Sequence, residues 1–264
     1  MYRLTNGRAA PADERHAAAP KRIAVLTLYT TKIREYGEIS AANKAAYCER
    51  HQYDFIACDH SLDPSRPPAW SKIRLVQRHL SKYDWAFWSD ADSLLMNFAR
   101  RIEELIGDEY DLVIASDENG PCAGQFIIRN TPASHAFLEQ VYRQRQFIRH
   151  PWWDQAAMHY LLHSGEAGVR CSVLPQRRLN SYPGSFQWGD FVIHLAGKID
   201  KLAGMRCFAS ITKDPLLCDE PEGWRSAIRI GPGDPGRLRA RLRTPQGRRR
   251  DREMQRGRFG LRVS

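Results

Sequence analysis

Three short apolar runs, spaced by helical patterns, constrain the fold of this 264-residue chain more than any other feature. "RIAVLTLYT" (22–30), "YDFIACD" (53–59) and "DWAFWSDAD" (84–92) are rich in β-branched and aromatic residues and read as buried strands. Between them lies a helical stretch at roughly 34–51, with Ala42, Ala45, Ala46 and Cys48 available to pack. A second is "SKIRLVQRHLSK" (71–82), where Ile73, Val76 and Leu80 share one helix face. Strand–helix alternation predicts an α/β fold with a mostly parallel sheet, and in such sheets ligands sit at the carboxyl ends of the strands.

Further along, "DLVIASD" (111–117) and "CAGQFIIRN" (122–130) add two strands. Thr131-Pro132 predicts a helix start, with the helix running to about Ile148 and turning Phe137, Val141 and Ile148 inward. "WWDQAAMHYLLHSG" (152–165) predicts another helix closed by Gly165, and "DFVIHLAGK" (190–198) a late strand ending in a small-residue turn.

Residues 1–21 have no apolar signal core and read as a flexible lead-in. No window approaches the roughly 18 apolar residues needed to span a bilayer. Six cysteines (Cys48, Cys58, Cys122, Cys171, Cys207, Cys218) show neither C-x-x-C nor zinc spacing, so reduced thiols and a cytoplasmic setting are expected. Residues 225–264 carry 13 Arg against three acids, a surplus equal to the net +10 of the whole chain, so residues 1–224 are formally neutral. This tail is expected to be disordered. It is also expected to be capable of peripheral contact with anionic lipid at the inner membrane surface, with no specific nucleic-acid partner. The expected division is lead-in (1–21), one folded domain (22–224) and tail (225–264).

The chemistry centres on Asp90 and Asp92. With 17 Asp in the chain, about one D-x-D arises by chance, so the neighbours must decide. In an extended segment, residues i and i+2 face the same way about 6.6 Å apart, where both carboxylates reach one cation. Like charges at the end of "WAFW" need a partner, and oxygen donors suit Mg²⁺ or Mn²⁺. His194 ends another apolar run, with Gly197 and Lys198 close behind. A lone histidine is more often structural, but imidazole is a reasonable third ligand for Mn²⁺, and Lys198 is placed to neutralise a phosphate.

"AAYCERHQYDF", "WSKIRLVQRHLSKYDWAFWSDADSLLMN", "CAGQFIIRNTPASHAFLEQVY", "WWDQAAMHYLL" and "FVIHLAGK" follow one another as in the galactosyltransferase GMA12/MNN10 family, glycosyltransferase family 34. The resemblance spans roughly residues 22–200. It implies a GT-A fold and Mn²⁺- (or Mg²⁺-) dependent transfer of a hexose or pentose, with retention, from a UDP- or GDP-sugar to a glycan or glycolipid. Residue by residue it implies Asp90, Asp92 and His194 at the metal. Asp90, Ala123, Gly124, Gly197 and Lys198 fall at the donor, and Thr27, Tyr29 and Lys72 match donor-side positions more loosely. Asp154 and Gln155 match the catalytic pair beneath the sugar. No nucleophile with a base partner stands out, so front-face displacement is the expected route, with a covalent route through Asp154 still open. Trp152 and Trp153 are candidate acceptor contacts. Aromatics beside a sugar site stack on pyranose faces while those before a helix pack the core, and one of each is expected.

Two other readings compete. A strand followed by D-x-D also outlines haloacid-dehalogenase-like phosphatases, with Asp90 as nucleophile. Here at least two strands precede the motif and no Asp-Asp pair follows it. A non-enzymatic binder of anionic polymers or membranes, acting through the Arg tail, explains the basic end and leaves the neutral body without a role.

Overall fold

The computed structural model describes residues 20–197 and 199–211. Along the chain they form β1 (Ile23–Leu28), α1 (Arg34–His51), β2 (Asp54–Cys58), α2 (Ser71–His79), β3 (Trp85–Ser89), β4 (Ser93–Leu95), β5 (Leu112–Asp117) and β6 (Gly120–Arg129). α3 (Pro132–Arg143), α4 (Trp153–Ser164), β7 (Cys171–Pro175), α5 (Gln176–Leu179), β8 (Val192–His194) and α6 (Lys201–Ile211) complete the order.

Six strands make one sheet in the order β2-β1-β3-β6-β5-β7. β1 runs parallel to β2 and β3, and β5 parallel to β7, while β6 is antiparallel to both of its neighbours. The strands read as continuous apolar runs because both faces of the sheet are covered. Ala24, Leu26, Trp88 and Phe126 pack under α2, α3 and α4 through Ile73, Val76, Phe137, Val141 and Leu161. On the other face Val25, Phe87 and Ile127 meet Tyr47 and Cys48 of α1 together with Phe191. The sheet is thus the mostly parallel α/β sheet expected. β4 and β8 form a second, two-stranded antiparallel sheet that packs on α6 through Leu94, Ile193, Met205 and Phe208.

Several boundaries move. α1 keeps its expected span and buries Cys48 as expected, but Ala42 and Ala46 are exposed and Ser40, Lys44 and Tyr47 complete the buried face. Polar contacts with β4 hold it. Asn43 Nδ2 donates to Leu95 O (2.9 Å), Leu95 N–H donates to Asn43 Oδ1 (2.8 Å), and Ser40 Oγ donates to Ser93 O (2.8 Å). α3 begins as expected, with the Thr131 hydroxyl accepting from Ser134 N–H (3.2 Å), but it stops at Arg143. Gln144 leaves helical geometry (ψ 69°), and the chain turns so that Phe147 packs on Tyr160 of α4, with ring centroids 5.7 Å apart. Gly165 closes α4 in the left-handed region (φ 78°), as the sequence indicates. The late strand is only three residues long, because Gly197 (φ 82°) turns the chain soon after His194. No helix among the described residues is long and apolar enough to cross a membrane. Cys218, Lys198, the Arg-rich tail and nearly all of the lead-in lie outside the described residues.

A clamp around the buried carboxylate of Asp111 ties β5, α3 and β7 together. Asp111 accepts from the Arg170 backbone N–H and from its Nε and Nη2, each at 3.0 Å, and from the Thr131 hydroxyl at 3.1 Å. These donors, Arg170 foremost, hold the Asp111 carboxyl down at about 2 against the opposing effect of burial. Its folded value is below its unfolded one, so its stabilisation is complete above about pH 4 and is lost as the pH falls towards 2. Acid unfolding followed by circular dichroism should therefore show a stability loss across that window that Asp111→Asn removes.

Candidate active site

The parallel run of β1 and β3 brings their carboxyl ends side by side, and the two aspartates follow directly from β3. Asp90 N–H donates to Gly124 O on β6 (2.9 Å), and Ser93 N–H donates back to Asp90 O (3.2 Å), which makes a tight turn into β4. β4 then pairs with β8 in a register that sets Ser93 opposite His194. Leu195 N–H donates to Asp92 O (2.8 Å). This short ladder delivers a histidine 102 positions downstream to the carboxylates.

His194 Nε2 lies 3.1 Å from Asp92 Oδ1 and 4.0 Å from Asp90 Oδ2. One donor atom from each of the three residues falls within 4.8 Å of the other two. On the far side of the ring, Nδ1 donates to Asn180 Oδ1 (2.9 Å), which fixes Nε2 towards the carboxylates. Burial pulls His194 down, but the Asp92 charge outweighs it and lifts the imidazole to about 10. Asp92 in turn is held far below the usual carboxylate range. Burial opposes this, and His194 and Lys201 prevail. Lys201, in the first turn of α6, places Nζ on Asp92 Oδ2 and also donates to Leu195 O (3.0 Å).

Gly124 forms the wall of this group. A Cβ at that position would collide with His194 Cε1 and lie 2.9 Å from His194 Nδ1 and 3.3 Å from Asp90 Oδ2. Only glycine lets the His194 ring and Asp90 approach the backbone of β6 this closely. Two carboxylates and one imidazole nitrogen in such a group fit Mn²⁺ or Mg²⁺.

A second arm runs from Asp90 into the sheet. Lys72 is 5% exposed, and its Nζ stands 3.0 Å from Asp90 Oδ1 and 3.1 Å from Asp154 Oδ2, donating also to Ala123 O (3.1 Å). Trp88 Nε1–H donates to the same Asp90 oxygen (2.7 Å). Burial acts to strip the Lys72 proton, but Asp154 and Asp90 overcome it and keep the ammonium charged. Asp154 is pushed up to about 6, mainly by burial and further by Asp90, with Lys72 opposing. Its Oδ2 is fully enclosed and faces the Lys72 ammonium.

Below the turn, Lys44 is fully buried and donates to the Asp90 and Ser93 carbonyls, each at 3.0 Å, and to Ser40 Oγ. Burial lowers it to about 7 against the pull of Asp90 and Asp92. It fixes the backbone that carries both aspartates.

The structure brings together Asp90, Asp92, His194, Lys72, Gly124, Ala123 and Asp154. Gln155 follows, half-buried, in the first turn of α4, and Gly197 turns the chain beyond β8. Thr27 is enclosed within β1 and its Oγ1 finds no hydrogen bond. Tyr29 packs over Gly37, where a Cβ would lie 2.6 Å from its own Cβ. Both Trp152 and Trp153 are exposed, at 39% and 43%, against the expectation that one would enter the core. α4 buries Asp154, Ala157, Met158 and Leu161, which leaves Trp153 on the open side. Lys198 lies outside the described residues; Lys201 and Lys72 are lysines that reach the two aspartates.

Sequence reasoning passed over Lys201, Asn180, Trp88 and Lys44. Trp88 stood inside the motif and carried a usable signal, since a buried indole needs an acceptor for its N–H. The other three have partners more than ten residues away or main-chain partners, and no local pattern marks them.

The model of the galactosyl transferase GMA12/MNN10 family matches residues 21–108 and 105–199. An uncharacterized alpha-1,2-galactosyltransferase of Schizosaccharomyces pombe is 25% identical over 206 residues, covering 59% of this chain and 54% of that protein. The chain thus spans about half the length of that relative. Among solved structures, a glycosyltransferase involved in the glycosylation of the major capsid of PBCV-1 superposes with a TM-score of 0.60 at 14% identity, over 70% of this chain and 98% of that one. The galactosyltransferase LgtC in complex with donor and acceptor sugar analogs gives 0.53 at 13% identity, over 78% and 100%. These likenesses are of fold, and the fold is GT-A.

Proposed function

This chain belongs to the galactosyl transferase GMA12/MNN10 family, and from that premise we propose that it is a metal-dependent retaining glycosyltransferase. It moves a hexose or pentose from a UDP- or GDP-sugar to a glycan or glycolipid acceptor. The observation that carries this reading is the junction at Asp90. One of its oxygens faces His194 and the other, through Lys72, reaches Asp154.

Asp90, Asp92 and His194 would hold Mn²⁺ or Mg²⁺, which when bound supplies Lewis-acid stabilisation of a departing diphosphate. The chain's own groups complete the chemistry. Lys201 provides a positive charge beside Asp92, which would help stabilise a departing diphosphate. Lys72 holds Asp154 in place, and above about pH 6 that carboxylate is charged. The Asp154 carboxylate, held by Lys72, lends negative charge that offsets the positive charge growing on the sugar as the glycosidic bond breaks. The Gln155 amide adds a dipole in the same turn. Front-face displacement needs nothing further from the protein than this placement of charge.

The phosphatase alternative loses ground because Asp90 Oδ1 already accepts from Trp88 and faces Lys72, which blunts it as a nucleophile. The relatives' names make galactose the first sugar to test, and a cytoplasmic setting accords with the five free cysteines among the described residues. Proton NMR of turnover with UDP-galactose and GDP-mannose in the presence of Mn²⁺ tests the proposal. An α-anomer as the first product from an α-linked donor supports it, and a β-anomer contradicts retention.

A further inference from the structure

Among the described residues, the exposed large apolar side chains are Trp152, Trp153 and Tyr160, and all three stand on α4 or immediately before it. Trp70, Trp85 and Trp88, by contrast, are almost wholly buried. Such a concentration of exposed aromatic surface marks a binding face. Its position is the informative part. Trp153 directly precedes Asp154, which is 2% exposed and whose Oδ2 lies 3.1 Å from Lys72 Nζ.

Trp153 also holds a backbone φ of 42°, a left-handed conformation that is costly for a bulky residue and tends to persist where the site requires it. Trp152 is braced from outside. Its ring meets His150 at 5.9 Å, His150 meets Phe147 at 5.8 Å, and Phe147 meets Tyr160 at 5.7 Å. This chain of ring contacts joins Trp152, just before α4, to Tyr160 upon it. Tyr160 lies seven residues on, two helical turns and about 10.5 Å along the same face.

We propose that Trp153 is the stacking platform for the pyranose ring of a neutral acceptor sugar, with Trp152 and Tyr160 extending the surface along an oligosaccharide. The inference rests on the glycosyl-transfer reading and adds the place and chemistry of the acceptor. The charged groups of the site, Lys72, Lys201, Asp92 and His194, suit an anionic donor. A neutral sugar offers them little, and its apolar C–H face is matched by an indole that keeps one edge wet.

The test uses the full chain with UDP and Mn²⁺, probed with methyl β-D-galactopyranoside, methyl α-D-mannopyranoside and cellobiose by saturation-transfer NMR and titration. At least one probe should bind, with saturation strongest on its C–H face. Trp153→Ala should weaken that binding at least about tenfold, and Trp153→Phe should restore most of it. UDP affinity, measured on each variant, reports the integrity of the fold and the donor site. Failure of every probe to bind the UDP-loaded protein, or binding indifferent to Trp153→Ala, overturns the platform and leaves the transferase reading standing. A wild-type protein that binds neither UDP nor GDP removes the transferase reading itself.

Discussion

Replacing Lys72 by methionine is expected to produce the largest stability loss of any single change at the site. The side chain lies between Asp90 and Asp154, 6% exposed, and its removal leaves two carboxylates facing each other without the charge that holds them. Breaking a buried ion pair by deleting one partner costs about 3–5 kcal/mol. In a domain of this size that corresponds to a fall in Tm of roughly 6–20 °C. Turnover should vanish with it, because Asp154 loses its anchor. The double variant Lys72→Met/Asp154→Asn separates the two effects. Removing the orphaned charge should recover much of the Tm and none of the turnover. A Lys72→Met protein that melts like the wild type would mean that the bridge contributes little.

Gly124→Ala is expected to have the largest effect on metal affinity. The added methyl falls against His194 Cε1 and close to Asp90 Oδ2, so it pushes the imidazole out of its place beside the carboxylates. Gly124 sits within β6, away from the strand ends, and its carbonyl bond to Asp90 N–H needs no side chain, so the fold should survive. Mn²⁺ affinity by calorimetry should fall about ten- to a hundredfold, and because the buried His194 ring must shift, thermal stability in EDTA should fall by an overpacking cost of about 1–3 kcal/mol. Unchanged affinity would show that the cation binds elsewhere.

The two changes illustrate what was legible in the sequence. β1, β3 and β5 could be read because strands covered on both faces keep long apolar runs, and their alternation with helices fixed the class of fold. The D-x-D could be read because charge at the end of "WAFW" demands a partner. The antiparallel course of β6 did carry a mark that the strand pattern alone overlooks: Asn119-Gly120, with Gly120 at φ 103°, joins β5 to β6 in a tight hairpin. β4 and β8 are three residues each, too short for any periodicity, yet their pairing is what carries His194 to Asp92. The buried face of α1 was misread because Ser40 and Lys44 are stabilised by carbonyls of Asp90 and Ser93, partners some fifty residues away, and not by apolar burial. Lys201 escaped notice for the same reason, as its partner Asp92 lies 109 residues earlier.

The central claim is that Asp90, Asp92 and His194 form a metal-dependent donor site. The most direct measurement is release of nucleotide from UDP-galactose, and from a panel of other UDP- and GDP-sugars, by the wild type and by Asp92→Ala, in Mn²⁺ and in EDTA. Release from one donor that requires Mn²⁺ and disappears in Asp92→Ala is the predicted result. Release that persists in EDTA, or that survives loss of Asp92, would contradict it.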